Sequence, residues 1–215
     1  MKKVTYALSA LAFVCAIVIG AQTARAQSAV TPLPSLTPSE MTQGSMSQSD
    51  VLVQMISSHV QHTDLLAESM RKQYSDTADQ NASTQALREV SQQISDLIAT
   101  EFGAQTQEVF NSYWTESMNQ FLRYSEGLQN NDESMQNEAL VGIHRNIIQA
   151  SEMIAEETNI PRETVDDVLR QHVNYLRGSI EAYANGDYEQ SYTYQLRAQR
   201  QIAMIAQIMT DALLQ

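Results

Sequence analysis

The apolar residues that follow Pro38 recur with a helical period, and the next proline is Pro161. Leu52, Met55 and Ile56 begin a stripe that continues in steps of three and four residues. This spacing places apolar side chains on one face of an α-helix. Proline inside a helix removes a hydrogen bond and clashes with the preceding turn, so its absence between these positions permits long helices. No run alternates as a half-buried strand does. The sequence therefore predicts an all-α fold.

Polar or glycine-containing segments divide the periodic region into six predicted helices. Their bounds are 51–74, 84–102, 106–126, 133–157, 162–185 and 188–214. Gly103, Gly127 and Gly186 are expected to end the second, third and fifth helices, since glycine is favoured just past a helix C-terminus. Pro161 fits the first turn of the fifth helix, where a missing N–H is tolerated.

Two internal similarities indicate that the helices form three related pairs. YSEG (124–127) matches YANG (183–186) at an offset of 59 residues, and segment 147–154 matches 202–209 at an offset of 55. The difference of four residues is assigned to a longer turn in the middle pair. A single amphipathic hairpin cannot bury its apolar face alone, so three should close into one bundle. We predict a six-helix bundle of three tandem antiparallel helical hairpins over residues 51–215.

The N-terminus has the three parts of a secretory signal peptide. Lys2 and Lys3 precede an apolar stretch from Ala7 to Gly20, and Ala24-Arg25-Ala26 is a small-x-small cleavage site. We predict that residues 1–26 are removed and that the chain is periplasmic or secreted. The alternative is a membrane anchor, for which the apolar stretch is short, since a span needs about 20 residues.

Residues 27–50 follow the predicted signal peptide and are rich in Pro, Ser, Thr and Gln. They show no apolar period. A segment of this composition cannot bury enough apolar surface to offset the entropy of ordering it. We therefore predict a disordered leader between the signal peptide and the helical domain.

The predicted mature chain is acidic and contains no cysteine. Removing Lys2, Lys3 and Arg25 leaves ten basic residues against twenty-five acidic ones, a formal net charge of −15. Such a field repels nucleic acid and anionic lipid. Cys15 is the only cysteine and leaves with the signal peptide, so neither a disulfide nor a thiol nucleophile is expected. We expect no nucleic-acid partner and no membrane span after cleavage.

Histidines on the predicted apolar stripes are the candidate metal ligands. His59, Tyr113 and His172 are predicted to occupy equivalent positions in the three hairpins, where they could approach one another. His62 follows His59 by three residues on nearly the same face, and neutral imidazole is a common metal ligand. The alternative, which we favour, is that these side chains are hydrogen-bonded within the core and fix which helices are neighbours. We expect no metal.

The motifs of common helical-bundle cofactors and of hydrolytic enzymes are absent from the sequence. No glutamate stands three residues before any of the four histidines, as a carboxylate-bridged di-iron site requires. Neither an H-E-x-x-H zinc motif nor a C-x-x-C-H haem attachment signal occurs, and nucleophile-elbow and phosphate-loop glycine motifs are missing. We therefore expect a non-enzymatic protein without a cofactor.

Aromatic residues provide a second kind of candidate site. Tyr183, Tyr188 and Tyr192 surround the last predicted turn, and Tyr113 and Trp114 lie on the third helix. Tyrosine and tryptophan are favoured at interfaces because they offer a large contact area at low entropic cost. The alternative is that the tyrosines of the last hairpin are half-exposed and pack across it.

Three dipeptides of this sequence are similar to a motif found in a known group of proteins. Ser58-His59, Ser112-Tyr113 and Gln171-His172 stand in the first helix of each predicted hairpin. Their spacing resembles an uncharacterised group of bacterial proteins, secreted or soluble, that consist of three tandem helical hairpins with a Glu-His pair in each first helix. The resemblance covers roughly residues 51–214, and here all three glutamates and one histidine are replaced. It implies the three-hairpin fold and no activity.

These features predict a periplasmic, non-enzymatic helical-bundle protein with a binding or interaction role. Its partner would be a protein or a small molecule, bound in a helical groove or at the aromatic end of the third hairpin, and a homo-oligomer is compatible with the sequence. The alternative is a bundle that binds a metal or a small ligand through His59, His62 and His172.

Overall fold

A computed structural model describes residues 47–213, which form six α-helices and no β-strand within that range. The helices are α1 (Gln48–Ser75), α2 (Gln80–Phe102), α3 (Ala104–Gln129), α4 (Glu133–Thr158), α5 (Arg162–Ala184) and α6 (Tyr188–Leu213). The prediction of an all-α six-helix bundle is confirmed. The predicted signal peptide, and the predicted leader up to residue 46, lie outside the described residues.

α1 begins three residues before its predicted start because Ser47 and Asp50 form a capping box. The Asp50 N–H donates to Ser47 Oγ (3.3 Å), and the Ser47 N–H donates to Asp50 Oδ2 (3.2 Å). These bonds satisfy N–H groups that a helix N-terminus otherwise leaves without partners. α1 therefore begins at Gln48 rather than at Val51.

The turn inside each hairpin has the same backbone form. Each of the three turns contains one residue with a positive φ: Asp76 (φ 50°), Asn131 (φ 53°) and Gly186 (φ 78°). The N–H of the following residue donates to the carbonyl five residues back, as Asp187 does to Ala182 (2.9 Å). This Schellman motif satisfies the last carbonyl groups of a helix. The shared form supports the relation between the three hairpins.

α3 does not end at Gly127, as predicted, but continues to Gln129. At Gly127, α3 lies close to the start of α4: a Cβ there would lie 3.0 Å from the Gln136 backbone nitrogen. The Gln136 Nε2 also donates to the Gly127 carbonyl (3.0 Å). Gly127 therefore serves helix packing, while Asn131 supplies the left-handed residue of the turn.

The three hairpins close into a ring with approximate threefold order. Each second helix packs against its own partner and against the first helix of the next hairpin, which for α6 is α1. The first helices α1, α3 and α5 also contact one another. Because every hairpin is antiparallel, these three helices run in the same direction around the centre of the bundle. The contact between α3 and α5 is the least extensive of the three.

The three central helices repeat with a constant offset of 55 residues. Two sets of buried residues show this register: Met55, Phe110 and Val165, and then Leu66, Phe121 and Leu176. The offset of 59 predicted for these helices is therefore wrong, since Gly127 lies inside α3 whereas Gly186 lies in a turn. The longer turn predicted for the middle hairpin is also wrong, because 130–132 and 185–187 have the same length.

Candidate functional site

A pocket of about 80 Å³ is lined by residues of the three central helices together with α4 and α6. Its apolar walls include Leu66, Phe121, Ile147, Leu176 and Ile202. Its polar lining residues include His62, Trp114, Ser117, Asn146 and His172. Asp, Glu, Lys and Arg are absent from the residues that line it. We call it the central pocket.

The partly exposed residues that line the central pocket lie on α3 and α5, so the pocket opens between these two helices. The buried residues of α5 are Val165, Leu176, Ser179 and Ile180. Between Val165 and Leu176, the residues Leu169, His172 and Val173 line the pocket and stay partly exposed. The weak contact between α3 and α5 thus leaves space where an apolar core would otherwise continue.

His62, Ser117 and His172 occupy equivalent positions on the three central helices. Each lies fourteen residues before the left-handed residue of its own hairpin turn, and each lines the central pocket. Since the helices are parallel, these side chains form one polar layer among apolar ones. Polar residues at such central positions are known to specify helix register.

The predicted equivalence of His59, Tyr113 and His172 is wrong. In the 55-residue register, His59 corresponds to Trp114 and Leu169. Tyr113 was paired with His172 because Gly127 was aligned with Gly186, which displaced the middle hairpin by four residues, or about one helical turn. His59 lies three residues before His62, which is the residue of α1 that corresponds to His172.

His62 is buried, and its Nε2 has no hydrogen-bond partner. Its ring packs on Trp114 with the ring centroids 4.6 Å apart and an angle of 46° between the planes. Burial, with smaller contributions from nearby His59 and His172, lowers the pKa of His62 to about 3. The imidazole is therefore neutral near pH 7.

His172 is held by a hydrogen bond between its Nδ1 and the Ala198 carbonyl on α6 (3.0 Å). A carbonyl oxygen can only accept, so Nδ1 carries the proton and Nε2 of the neutral ring is an acceptor. Burial lowers the pKa of His172 to about 4, although the bond to Ala198 opposes that shift. The ring therefore has a defined tautomer in the pocket wall.

His59 has a similar backbone bond, in which Nδ1 donates to the Met55 carbonyl (2.8 Å), and burial lowers its pKa to about 4. It meets the edge of Trp114, with centroids 5.7 Å apart, but does not line the central pocket. Nowhere within the described part of the chain do three His, Cys, Asp or Glu side chains come close enough to share a metal ion. His59, His62 and His172 are thus not assembled as a three-ligand metal site.

Tyr113 and Trp114, two of the predicted aromatic site residues, line the central pocket. Trp114 is the only tryptophan of the chain; it stacks on Phe110 at 4.7 Å, and its Nε1 has no partner. The Tyr113 hydroxyl donates to the Met153 sulfur (3.5 Å), and burial raises the pKa of Tyr113. Trp114 therefore lines the pocket and also contacts the rings of His59, His62 and Phe110.

Asn146 on α4 is a pocket residue that the sequence reasoning did not identify. It is 4% exposed, and its Nδ2 has no hydrogen-bond partner. It stands three residues after Ile143 and four before Ala150, both of which are buried. The sequence pattern could have identified it, because an asparagine on the apolar stripe of a helix is unusual. Buried polar side chains are uncommon and usually have a hydrogen-bond partner.

A larger pocket of about 380 Å³ lies between α2 and α3, and we call it the outer groove. Its polar lining includes Thr84, Arg88, Gln92, Asn111 and Asn119. Trp114 and Met118 line both the outer groove and the central pocket. These two side chains therefore form the partition between the two spaces.

Tyr183, Tyr188 and Tyr192 lie near the α5–α6 turn and do not line the central pocket. The rings of Tyr183 and Tyr188 are 5.2 Å apart, and the Arg71 guanidinium lies 4.6 Å from the centre of the Tyr192 ring. Tyr188 and Tyr192 are 57% and 55% exposed. The predicted binding residues are thus divided between two places.

Comparison of the chain with protein-family models, curated proteins and solved structures finds no match. The resemblance to bacterial three-hairpin proteins therefore stays a prediction. Within residues 47–213, no helix has an apolar stretch long enough to cross a membrane.

Proposed function

We propose that this chain is a periplasmic, non-enzymatic binding protein whose ligand is a small molecule in the central pocket. The supporting observation is three buried polar atoms without partners on residues that line it: His62 Nε2, Trp114 Nε1 and Asn146 Nδ2. A buried polar group left unpaired costs about 1–3 kcal/mol. An apolar pocket with a few polar groups is the usual form of a small-molecule site.

The pocket volume limits the size of this ligand. Sites for cofactors and drug-sized molecules measure about 300–1,000 Å³, whereas the central pocket measures about 80 Å³. One water needs about 10–15 Å³, so the pocket suits several waters or one molecule of a few heavy atoms. At no more than about 1.5 kcal/mol per heavy atom, a four-atom ligand binds no more tightly than tens of micromolar.

The test is a fragment screen followed by ¹H–¹⁵N NMR, with fragments of up to about six heavy atoms. Since the chain has a single tryptophan, the indole N–H of Trp114 gives one resolved signal. This signal reports on the wall that the central pocket shares with the outer groove. A saturable shift of that signal by a fragment supports the proposal. A screen in which no fragment shifts it contradicts the proposal.

Two matched variants locate the binding. Ser117→Leu places extra apolar volume in the central pocket and should abolish the shift. Ser112→Leu makes the same change at an exposed position of α3 that lines neither pocket, and should leave the shift unchanged. Binding that persists in Ser117→Leu would place the ligand elsewhere.

Export is supported by the signal-peptide features of residues 1–26. Cell fractionation and N-terminal sequencing test it. The expected product is a periplasmic chain that begins at Gln27. A chain that keeps its first residues and stays in the cytoplasm would contradict export without affecting the binding proposal.

A second candidate function is interaction with a protein through the start of α6. Tyr188, Tyr192 and Leu196 follow one another at four-residue steps and are each more than half exposed. Aromatic side chains are enriched at protein interfaces. Sedimentation velocity tests the simplest partner, a second copy of the chain. A dimer that is lost in a Tyr188→Ser, Tyr192→Ser double variant supports this function, and a monomer at every concentration contradicts self-association.

A further inference from the structure

We propose that the ligand of the central pocket is a small uncharged molecule with both a hydrogen-bond acceptor and an N–H or O–H donor, such as a primary amide. This inference rests on the proposed function and assigns its ligand class. This ligand class follows from the charge, the donors and the acceptors of the pocket wall.

The pocket wall excludes ionised ligands. No carboxylate, ammonium or guanidinium group belongs to the residues that line it. An ion moved into such a site without a partner of opposite charge loses its hydration and gains little in return. The imidazoles of His62 and His172 are neutral near pH 7 and do not supply a compensating positive charge.

Two donors without a partner belong to residues that line the pocket, and each needs an acceptor that the protein does not supply. The indole Nε1–H of Trp114 can only donate, and the amide Nδ2 of Asn146 can only donate. Neither has a hydrogen-bond partner within the protein. A purely apolar occupant would leave both donors unsatisfied, whereas a carbonyl oxygen that comes within about 3 Å of either nitrogen would accept from it.

A third group requires a donor on the ligand. The Nδ1–H of His172 is engaged by the Ala198 carbonyl, so the remaining ring nitrogen, Nε2, is an acceptor. The hydroxyl of Ser117, in the same polar layer, can donate or accept. A primary amide has a carbonyl and an N–H₂ group within four heavy atoms, which agrees with the small volume of the pocket.

Four probes with four heavy atoms each separate these requirements. Acetamide has a donor and an acceptor, acetone has an acceptor alone, acetate is charged, and isobutene has no hydrogen-bonding group. Each is titrated into the exported chain at pH 7, and the Trp114 indole and Asn146 amide signals are followed by NMR. We expect acetamide to bind with a millimolar dissociation constant, acetone to bind about tenfold more weakly, and acetate and isobutene to cause no shift.

The outcomes distinguish this inference from the proposed function. If acetone or isobutene binds as tightly as acetamide, the ligand class is overturned while small-molecule binding stands. If acetate binds best, the charge argument is overturned. If none of the four probes shifts either signal while other fragments do, the class is again overturned. If no fragment of any kind binds, the proposed function itself fails.

A variant pair checks the role of the Asn146 amide. Asn146→Leu removes one of the two unpaired donors, and we expect acetamide to lose about tenfold in affinity. Asn137→Leu makes the same change at an exposed position on the same helix and should not alter binding. Equal affinity of the wild type and Asn146→Leu for acetamide would overturn the assignment of Asn146 as a ligand donor.

Discussion

The Trp114 indole on α3 packs against the His62 imidazole on α1, with ring centroids 4.6 Å apart. Each ring has a nitrogen, Nε1 or Nε2, that is buried and lacks a hydrogen-bond partner. Apolar residues at these positions would fill the same space without unsatisfied polar atoms. The two unpaired nitrogens, at residues that line the central pocket, therefore cost stability.

We expect the folded chain to lose stability as the pH falls from about 6.5 towards 4. An unfolded histidine titrates near 6.5, whereas the pKa is about 4 for His59 and His172 and about 3 for His62. Between the folded and unfolded pKa values, the unfolded state binds protons that the folded state does not bind, so acid favours unfolding. Above about pH 6.5 these histidines are neutral in both states, and their contribution to the loss of stability disappears. Each such histidine lowers the free energy of unfolding by about 1.4 kcal/mol per pH unit. Urea unfolding at pH 7, 6 and 5 measures this slope.

A variant pair isolates the contribution of one histidine to that slope. His62→Leu removes one titration, so the free energy of unfolding should fall less steeply with pH, by about 1.4 kcal/mol per unit. Asn137→Leu changes an exposed residue of α4 that does not titrate and should keep the wild-type slope. Identical slopes for the wild type and His62→Leu would show that acid sensitivity has another source, such as the carboxylates.

Asn146→Leu should stabilise the ligand-free protein while weakening ligand binding. Asn146 is 4% exposed with an unpaired Nδ2, and leucine fills a similar space without a polar atom. We expect a gain of about 1 kcal/mol in the free energy of unfolding. Chemical denaturation measures it, and Asn137→Leu should give a change near zero. A loss of stability in Asn146→Leu would show that the amide is already satisfied, for instance by ordered water.

Met118→Ala should open the partition between the outer groove and the central pocket. Met118 is 6% exposed and, with Trp114, lines both spaces. We expect the free energy of unfolding to fall by about 2–5 kcal/mol, and quenching of Trp114 fluorescence by acrylamide to rise. Met204→Ala removes a methionine that is 53% exposed, so stability should stay within about 0.5 kcal/mol and quenching should not change. Unchanged quenching in Met118→Ala would show that Met118 does not separate the two spaces.

The fold was predictable because its main determinants are local. Apolar residues at helical spacing predicted the six helices, and Gly103 and Gly186, both at positive φ, end helices as expected. The register between hairpins was not predictable in the same way. Gly127 and Gly186 look alike in the sequence, but one permits close approach of two helices and the other supplies a left-handed residue.

The candidate site was predictable in part. His62 and His172 were identified because a histidine on an apolar stripe is conspicuous, and both line the central pocket. Ser117 and Asn146 were missed because their importance depends on which residues of other helices share their level. That relation follows from the 55-residue register and from the gap beside α5, which arise only when the helices are packed together.

Gly127→Ala should destabilise the bundle even though alanine is favoured over glycine inside a helix by about 1 kcal/mol. The new Cβ would lie 2.9 Å from Gln136 Cγ and 3.0 Å from its backbone nitrogen, and a backbone atom of α4 cannot move away without displacing the helix. We expect a net loss of about 1–3 kcal/mol in urea unfolding. Gly142→Ala is the comparison, because the three atoms nearest to its Cβ would all belong to the flexible Gln120 side chain. Its stability should stay within about 1 kcal/mol of the wild type. A Gly127→Ala protein as stable as the wild type would show that close packing of α3 and α4 is not the reason for glycine at this position.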